Sequence, residues 1–524
     1  MNRLTFIKTG LAASAYSLIR LPVAAAETPK PATPALRGTT SGIEENVRPQ
    51  PDKVVVDIAE YAANYKVTSA EAYATARVDL VDTLGCGIAA LNFKACTKLL
   101  GPVVPGTIVP HGARVPGTSF QLDPINAAFQ IGAMNRWLDY NDAWLAAEWG
   151  HPSDNLGGIL AVADWISQTA VAAGKPPVLM RDVLTAMIKA HEIQGIISNE
   201  TSFNQVGIDH VTLVRVASTA VVAQLLGLNR DQIINALTHA WADGGVLRVY
   251  RHSPNVGSRK SWAAGDATSR GVRLALMART GEMGIPSVLT AKEWGFYDVL
   301  FKGKPFTINQ PYESYVMENV LFKISYPAGF HIQTAAEVAI KLHPLVKGRL
   351  DDIKKITIRT HESTMRYLVK RGPLNNPADR DHSLQYIVAV ALIKGDLVAE
   401  DYEDNVASDP RIDVLREKMF PVEDKQYTKD YYDPEKRSNP NAILVEFNDG
   451  TKLDEVAVEY PLGHRRRREE GLPLIVDKFK ENIARRFSAE QREKILAASL
   501  DQAKFEAMRV QDYVDLYVTK EPLA

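Results

Sequence analysis

From about residue 52 to 320, apolar residues recur every three or four positions, the spacing that lines one face of an α-helix. Ser69 is placed to cap a helix whose apolar side carries Ala74, Val78, Val81 and Leu84. Asp182 to Ile197 repeats the theme with Val183, Met187, Ala190 and Gln194, and the small residues from Ala217 to Leu226 suit close helix packing. After about residue 320 the period shortens to two. Ile356 and Ile358 alternate with Thr357 and Arg359, as in a strand with one buried face. Ile443, Val445 and Phe447 then alternate into Asn448-Asp449-Gly450, and Val456, Val458 and Tyr460 alternate out of it, which predicts a hairpin. From about 466 helix returns, with Ser488 and Gln491 spaced as a capping box ahead of Ile495 and Leu496. The expected fold is mainly α with α+β: a helical domain over 52–320, an α+β insertion over 321–465, and helices over 466–524. No internal repeat is visible.

The N-terminus is a different kind of sequence. Residues 1–26 carry Arg3, Lys8 and Arg20 and no acid before Glu27, the balance of a cleavable mitochondrial transit peptide leading to the matrix. A secretory signal is the rival, with Leu11 to Ile19 as its apolar run and Ala24 to Ala26 as its cleavage site, but Arg20 stands between the two. Residues 27–51, with Pro29, Pro31, Pro34 and Pro49, read as a flexible linker. No later stretch reaches the roughly 18 apolar residues of a membrane span. Across 524 residues, 61 Lys and Arg balance 62 Asp and Glu, so no overall field draws the protein to nucleic acid or an anionic membrane. Any affinity for an anion must be local.

Several chemistries fail on spacing. Cys86 and Cys96 are too few for an iron-sulfur cluster and read as small buried hydrophobes. His191-Glu192 suggests a zinc helix, but Gly195 occupies the position of the second ligand. No phosphate-binding glycine loop is present, so neither metal nor cofactor is expected. The densest chemistry is RWLDYNDAWLAAEWGHPSDN, residues 136–155, where Asp139, Asp142, Glu148, His151 and Asp154 stand among three tryptophans. As a plain structural feature the tryptophans are packing anchors and the acids solvated. A histidine held in a Gly-His-Pro turn beside acids is also suited to proton transfer. Three further segments carry histidines or cations: GIDHVTL with His210, RVYRHSPNVGSRKSWAAGD with Arg248, Arg251, His252, Arg259 and Lys260, and LFKISYPAGFH with Lys323 and His331. Gly257 to Lys260, ahead of a helix-like run, offers backbone amides and two cations to a carboxylate. Arg465 to Arg468 reads as a solvated face or an intersubunit ion pair.

The segments LDYNDAWLAAEWGHPSDNLGGILAVADW, AMIKAHEIQG, RKSWAAGDA, PSVLTAKEWGFYDVLFKGKPF, ENVLFKISYPAGFH and VEYPLGHRRRREEG resemble the MmgE/PrpD family over about residues 50–520, best its mitochondrial fungal branch. The resemblance implies a homodimer whose subunit has a helical domain completed by the C-terminal helices and a smaller α+β lid, with the active site between them. It implies metal-independent elimination of water from the tricarboxylate 2-methylcitrate, giving 2-methyl-cis-aconitate in the methylcitrate cycle of propionate breakdown. Carried over, the family's catalytic positions fall on Asp139, His151, His210 and Lys260, and substrate-binding positions on Lys323 and Tyr386, with Arg259 added as a neighbouring cation. Decarboxylation of cis-aconitate on the same fold is the alternative, and Ala143, where the decarboxylase branch carries a polar residue, speaks against it. A non-enzymatic metabolite-binding or scaffold protein is the rival from another class.

Overall fold

The computed structural model describes residues 46–523. The expected transit peptide and most of the linker lie outside that range. From Pro49 onward the chain forms one compact unit.

Its longer helices in the first half are α1 (Lys53–Asn64), α2 (Ala70–Ala90), α3 (Pro124–Arg136), α4 (Leu156–Ala172), α5 (Met180–Glu200), α6 (Val211–Leu225), α7 (Arg230–Ala242) and α8 (Arg259–Arg279). Further on come α9 (Gln333–Val346), α10 (Leu384–Lys394) and α11 (Arg468–Ala484). Local chemistry sets several starts. Ser69 Oγ accepts from the Ala72 amide at 3.1 Å, and the Asp123 carboxylate takes the Ile125 and Asn126 amides ahead of Pro124 at the first position of α3. Ser488 likewise caps its helix through the Gln491 amide, but the Gln491 side chain donates to the Leu516 and Val518 carbonyls instead of closing the box. Helix α2 departs from its expected stripe: Ala74 is exposed and Val78 half-buried, while Val81 and Leu84 are buried. Its second half is enclosed on every side, so even Asp79 and Asp82 are buried and no single face carries the burial.

The main sheet has four strands, β1 (Ile353–Thr360), β2 (Met419–Glu423), β3 (Asn441–Phe447) and β4 (Val456–Val458), in the order β2-β1-β3-β4. Strand β1 runs parallel to β2 and antiparallel to β3, pairing Ile356 with Val445 and Ile358 with Ile443, so the apolar alternation of both strands falls on one buried face. Strand β4 returns antiparallel on β3 after Gly450, whose φ of 85° the turn requires.

Apolar side chains form two large cores. One joins α1 to α8 with Ile475, Phe479 and Ile483 of α11 and with Phe505 and Tyr513 beyond it. The other packs Ala335, Val338 and Leu342 of α9 and Ile387 and Val390 of α10 against Ile356, Ile358, Ile443 and Val445 of the sheet. Arg467 and Arg468 tie the C-terminal helix inward, to Glu337 at 2.9 Å and to the Glu318 carbonyl at 2.8 Å. Among the described residues no helix is long and apolar enough to cross a membrane.

Helices α3 and α8 cross at glycines. A Cβ on Gly265 would stand 2.3 Å from the Phe129 carbonyl oxygen and 2.7 Å from the Ala133 amide, and one on Gly132 would stand 2.8 Å from the Gly265 Cα. This contact matters because α3 ends on Arg136 and α8 begins with Arg259-Lys260, so the backbone spacing of the two helices sets how far apart those cations lie. Gly265→Ala is therefore expected to lower stability by about 1–3 kcal/mol through overpacking against unyielding backbone. Thermal denaturation checks it, and an unchanged melting temperature would show that the crossing relaxes freely.

Candidate functional site

A small cavity of about 50 Å³ lies where the helical part meets the segments flanking the sheet. Its polar wall is made by Arg136, His151, His210, Arg248, Arg251 and His382, with Asp139 and His331 beside them. Arg136 closes α3, and the chain then turns through Asp139, whose φ of 50° is left-handed, a conformation aspartate tolerates better than most side chains. A two-stranded hairpin, Trp144 with Gly150 and Leu145 with Trp149, delivers His151 to the wall. His210 immediately precedes α6, and Arg248 and Arg251 sit on a short 3₁₀ turn.

Asp139 is the hub. Its carboxylate pairs with Arg136 and with Lys323 at 3.0 Å, and lies 3.7 Å from His151 Nε2 and 3.5 Å from His382 Nε2. Burial opposes its charge, but Arg136 and Lys323 overcome that and hold its carboxyl well below the usual range. Lys323 also donates to the Asp139 backbone carbonyl at 2.7 Å, and burial brings its ammonium down to about 8 against the pull of Asp139. Lys260 Nζ donates to Asp381 and to His382 Nδ1 at 2.9 Å, and burial lowers its pKa as well. A second carboxylate, Asp209, takes Arg251 Nε at 2.5 Å and lies 3.4 Å from Arg248. Burial opposes its charge, and Arg251, foremost of its charged neighbours, keeps it ionised.

The two histidines that face one another across the wall, His151 and His210, are both held neutral. His151 Nδ1 donates to the Asp142 carbonyl at 2.6 Å, which fixes the tautomer and leaves the Nε2 lone pair facing Arg136 Nη2 at 2.8 Å. Burial, then Arg136 and Lys323, hold its pKa well below the ordinary value. His210 stands edge-on to His151 with ring centres 5.7 Å apart, and neither of its nitrogens has a hydrogen-bond partner within the described protein. Burial also holds its pKa well below the ordinary value, with Arg251 and Arg248 reinforcing the effect against the pull of Asp209.

Behind the wall, His191 Nδ1 donates to the Met187 carbonyl at 2.9 Å, and its Nε2 lies 3.1 Å from both Asp79 and Asp142. Burial disfavours its charge, yet the two carboxylates hold the imidazolium up to about 10. This trio is, among the described residues, the one group with the donor set of a metal site, and the His191 proton already bridges its carboxylates. It does not line the cavity. From α11, Lys478 reaches the Tyr140 carbonyl at 2.8 Å, the Lys323 carbonyl at 2.7 Å and Asp82 at 2.8 Å, clamping the segments that bear Asp139 and Lys323.

Residues 56–309 match the MmgE/PrpD N-terminal domain and 326–502 the MmgE/PrpD C-terminal domain. The chain belongs to the MmgE/PrpD family. It is 67% identical over 473 residues to a 2-methylcitrate dehydratase of Cupriavidus necator, covering 90% of this chain and 98% of that one. It is 64% identical over 476 residues to a 2-methylcitrate dehydratase of Escherichia coli K12, covering 90% and 99%. A mitochondrial 2-methylcitrate dehydratase of Yarrowia lipolytica is 58% identical over 486 residues, covering 92% and 93%.

Of the residues singled out by sequence, Asp139, His151 and His210 line the cavity, and Lys260 and Lys323 stand directly behind it on His382 and Asp139. Arg259 and Tyr386 are not brought there. Arg259, one residue before Lys260, is rotated to the outer side of α8, where it stacks on Trp262 and Tyr250 and meets Asp266 at 3.8 Å. Tyr386 is buried in the sheet-side core with its hydroxyl on the Asp401 carbonyl at 2.6 Å. The tyrosine on the cavity wall is Tyr367. The sequence assigns no role to Arg136, Tyr367, Asp381 or His382, although Arg136 opens the dense cluster and His382 adjoins Ser383-Leu384-Gln385-Tyr386.

Removing the hub charge strands buried cations. Asp139→Asn keeps a side chain that accepts the left-handed backbone but leaves Lys323 without a carboxylate partner and Arg136 with only Asp154 at 3.8 Å, a loss expected to cost about 3–5 kcal/mol. Denaturation of the variant measures this, and a cost under about 1 kcal/mol would show that other groups compensate the cations.

Proposed function

We propose that this chain is a 2-methylcitrate dehydratase, a hydro-lyase that eliminates water from 2-methylcitrate to give 2-methyl-cis-aconitate. The identity of the substrate rests on relatives of that name at 64–67% identity across nearly their whole length. The site supports the reading through one feature, an excess of cations around two neutral imidazoles. Arg136, Arg248, Arg251, Lys260 and Lys323 surround the cavity against three carboxylates held ionised, Asp139, Asp209 and Asp381, and burial pushes Glu148 and Asp154 up to about 7. Such a field suits a trianion and stabilises the charge that gathers on a carboxylate as the adjacent C–H proton leaves.

His151 is the base. Its Nδ1–H is committed to the Asp142 carbonyl, so Nε2 is the nitrogen that receives the proton, once a substrate carboxylate draws Arg136 away from it. The hydroxyl leaves the adjoining carbon with a proton from His210. The arriving carboxylates add to the pull of Asp209, 3.6 Å from His210 Nδ1, so His210 takes up a proton in the complex, while Arg136 and Lys323 keep His151 unprotonated. The electron pair of the C–H bond becomes the double bond, the C–O bond breaks, and the released hydroxide and the His210 proton form water. Lys260, through Asp381 and His382, and Lys323, through Asp139, set the positive background. The protein acts as a homodimer, and the acid-free leader together with the mitochondrial relative supports import into the mitochondrial matrix.

Purified protein given 2-methylcitrate is expected to raise the absorbance of a conjugated double bond, and His151→Ala to lower kcat at least about 100-fold with intact circular dichroism. Itaconate and carbon dioxide from cis-aconitate, with no turnover of 2-methylcitrate, would replace this reading by the decarboxylase. Because Lys323 sits at about 8, kcat/KM is expected to fall as pH rises through that value and the Asp139 charge loses its partner. Lys323→Arg should move that limb upward, since a guanidinium stays charged; a limb that stays put in this variant assigns it to another group.

A further inference from the structure

The polar wall explains the carboxylates and the acid-base step but leaves one side of the cavity unused. That side is apolar: Ala143, Leu145, Trp149, Phe330 and Leu368 line it. Four of these are not scattered. Ala143, Leu145 and Phe330 belong to one small apolar cluster with Trp149 packed against it, separate from both large cores. A cluster this small, at 1%, 5% and 4% exposure for those three, contributes little to folding compared with its neighbours, yet it presents hydrocarbon to a cavity otherwise built for a trianion. A tricarboxylate with only hydroxyl and methylene groups has nothing apolar large enough to use such a surface.

Geometry connects this surface to the reacting carbon. Leu145 and Trp149 are cross-strand partners on the hairpin that delivers His151, Ala143 immediately precedes it, and Gly150 stands between Trp149 and the base. In 2-methylcitrate the methyl group is on the carbon that loses its proton, because the product double bond carries it. The methyl must therefore lie next to the base, and the apolar surface next to the base is this one. We infer that Ala143, Leu145, Trp149, Phe330 and Leu368 form a methyl subsite that separates 2-methylcitrate from citrate, an inference that rests on the proposed reaction. Ala143 sets the room available: it is small, fully buried, and held in place by mutual backbone hydrogen bonds with Leu321 at 2.8 and 3.0 Å. A larger residue there cannot swing away without breaking that bridge.

The test is the ratio of kcat/KM for 2-methylcitrate to kcat/KM for citrate, measured on the full chain with both substrates. Ala143→Val fills the space and Leu145→Asn makes the surface polar at nearly constant size. Each is expected to lower the ratio about 10-fold or more, the usual worth of a methyl in an apolar pocket, mainly through the 2-methylcitrate arm. Circular dichroism and melting temperature accompany each variant; if Leu145→Asn does not fold, Ala143→Val carries the comparison. Parallel losses on both substrates, with the ratio within about twofold of wild type, would overturn the methyl subsite while leaving the dehydratase reading intact. A wild-type protein that does not turn over 2-methylcitrate would overturn the dehydratase reading, and the subsite with it.

Discussion

Burying ions is the constraint on which this site depends. A charge moved out of water is tolerated only where opposite charge and hydrogen bonds replace its hydration, and otherwise the group gives up its charge. Around Asp139 both outcomes occur side by side. The carboxylate keeps its charge because Arg136 and Lys323 touch it, whereas His151 and His210, among the same cations, stay neutral. One field thus produces an anion-binding surface and unprotonated imidazoles together. In the proposed reaction, a base free of protons at neutral pH and a wall that attracts a polyanion would need no separate devices.

That arrangement must be held rigid, because displacement of a cation by an ångström changes which groups are neutral. The support comes from three directions. Helices α3 and α8 touch backbone to backbone at Gly132 and Gly265, so Arg136 and Lys260 keep a set separation. The imidazolium of His191, bridging Asp79 and Asp142, holds the segment whose carbonyl orients His151. Lys478, more than 300 residues along the chain from Tyr140, clamps the Asp139 and Lys323 segments through their carbonyls. Helix α11 is therefore part of the site's frame although none of its residues lines the cavity.

The two walls of the cavity divide the work of recognition. Charge selects the class of ligand but discriminates poorly among tricarboxylates, since citrate and 2-methylcitrate carry the same charges. In the proposed methyl subsite, shape and hydrocarbon contact at the reacting carbon supply the finer distinction, and Leu145 and Trp149 lie on the hairpin that delivers His151. On that proposal, a substrate seated by its methyl group would by the same contact be seated for proton transfer.

Much of this was legible in the chain alone. Period-two alternation at Ile356, Ile358, Ile443 and Val445 reports a strand with one wet face, and Ser69 and Ser488 mark helix starts, because these are local effects of neighbours within a few residues. The cluster from Arg136 to Asn155 announced itself by composition, and the motifs within it pointed to the family. The tertiary structure decided which charges face one another. Arg259 and Lys260 are adjacent, but successive residues on a helix point about 100° apart, so one enters the site and the other faces outward. Tyr386 and Tyr367 look alike in sequence, yet the Tyr386 hydroxyl donates inside the sheet-side core, to the Asp401 carbonyl, and the Tyr367 hydroxyl donates to Asn204 beside the cavity. Lys260 meets Asp381 across 121 positions and Lys323 meets Asp139 across 184. Local sequence records which element forms; which side chains it buries and what they meet depends on the packing of distant segments, and with charged groups the partner determines the chemistry.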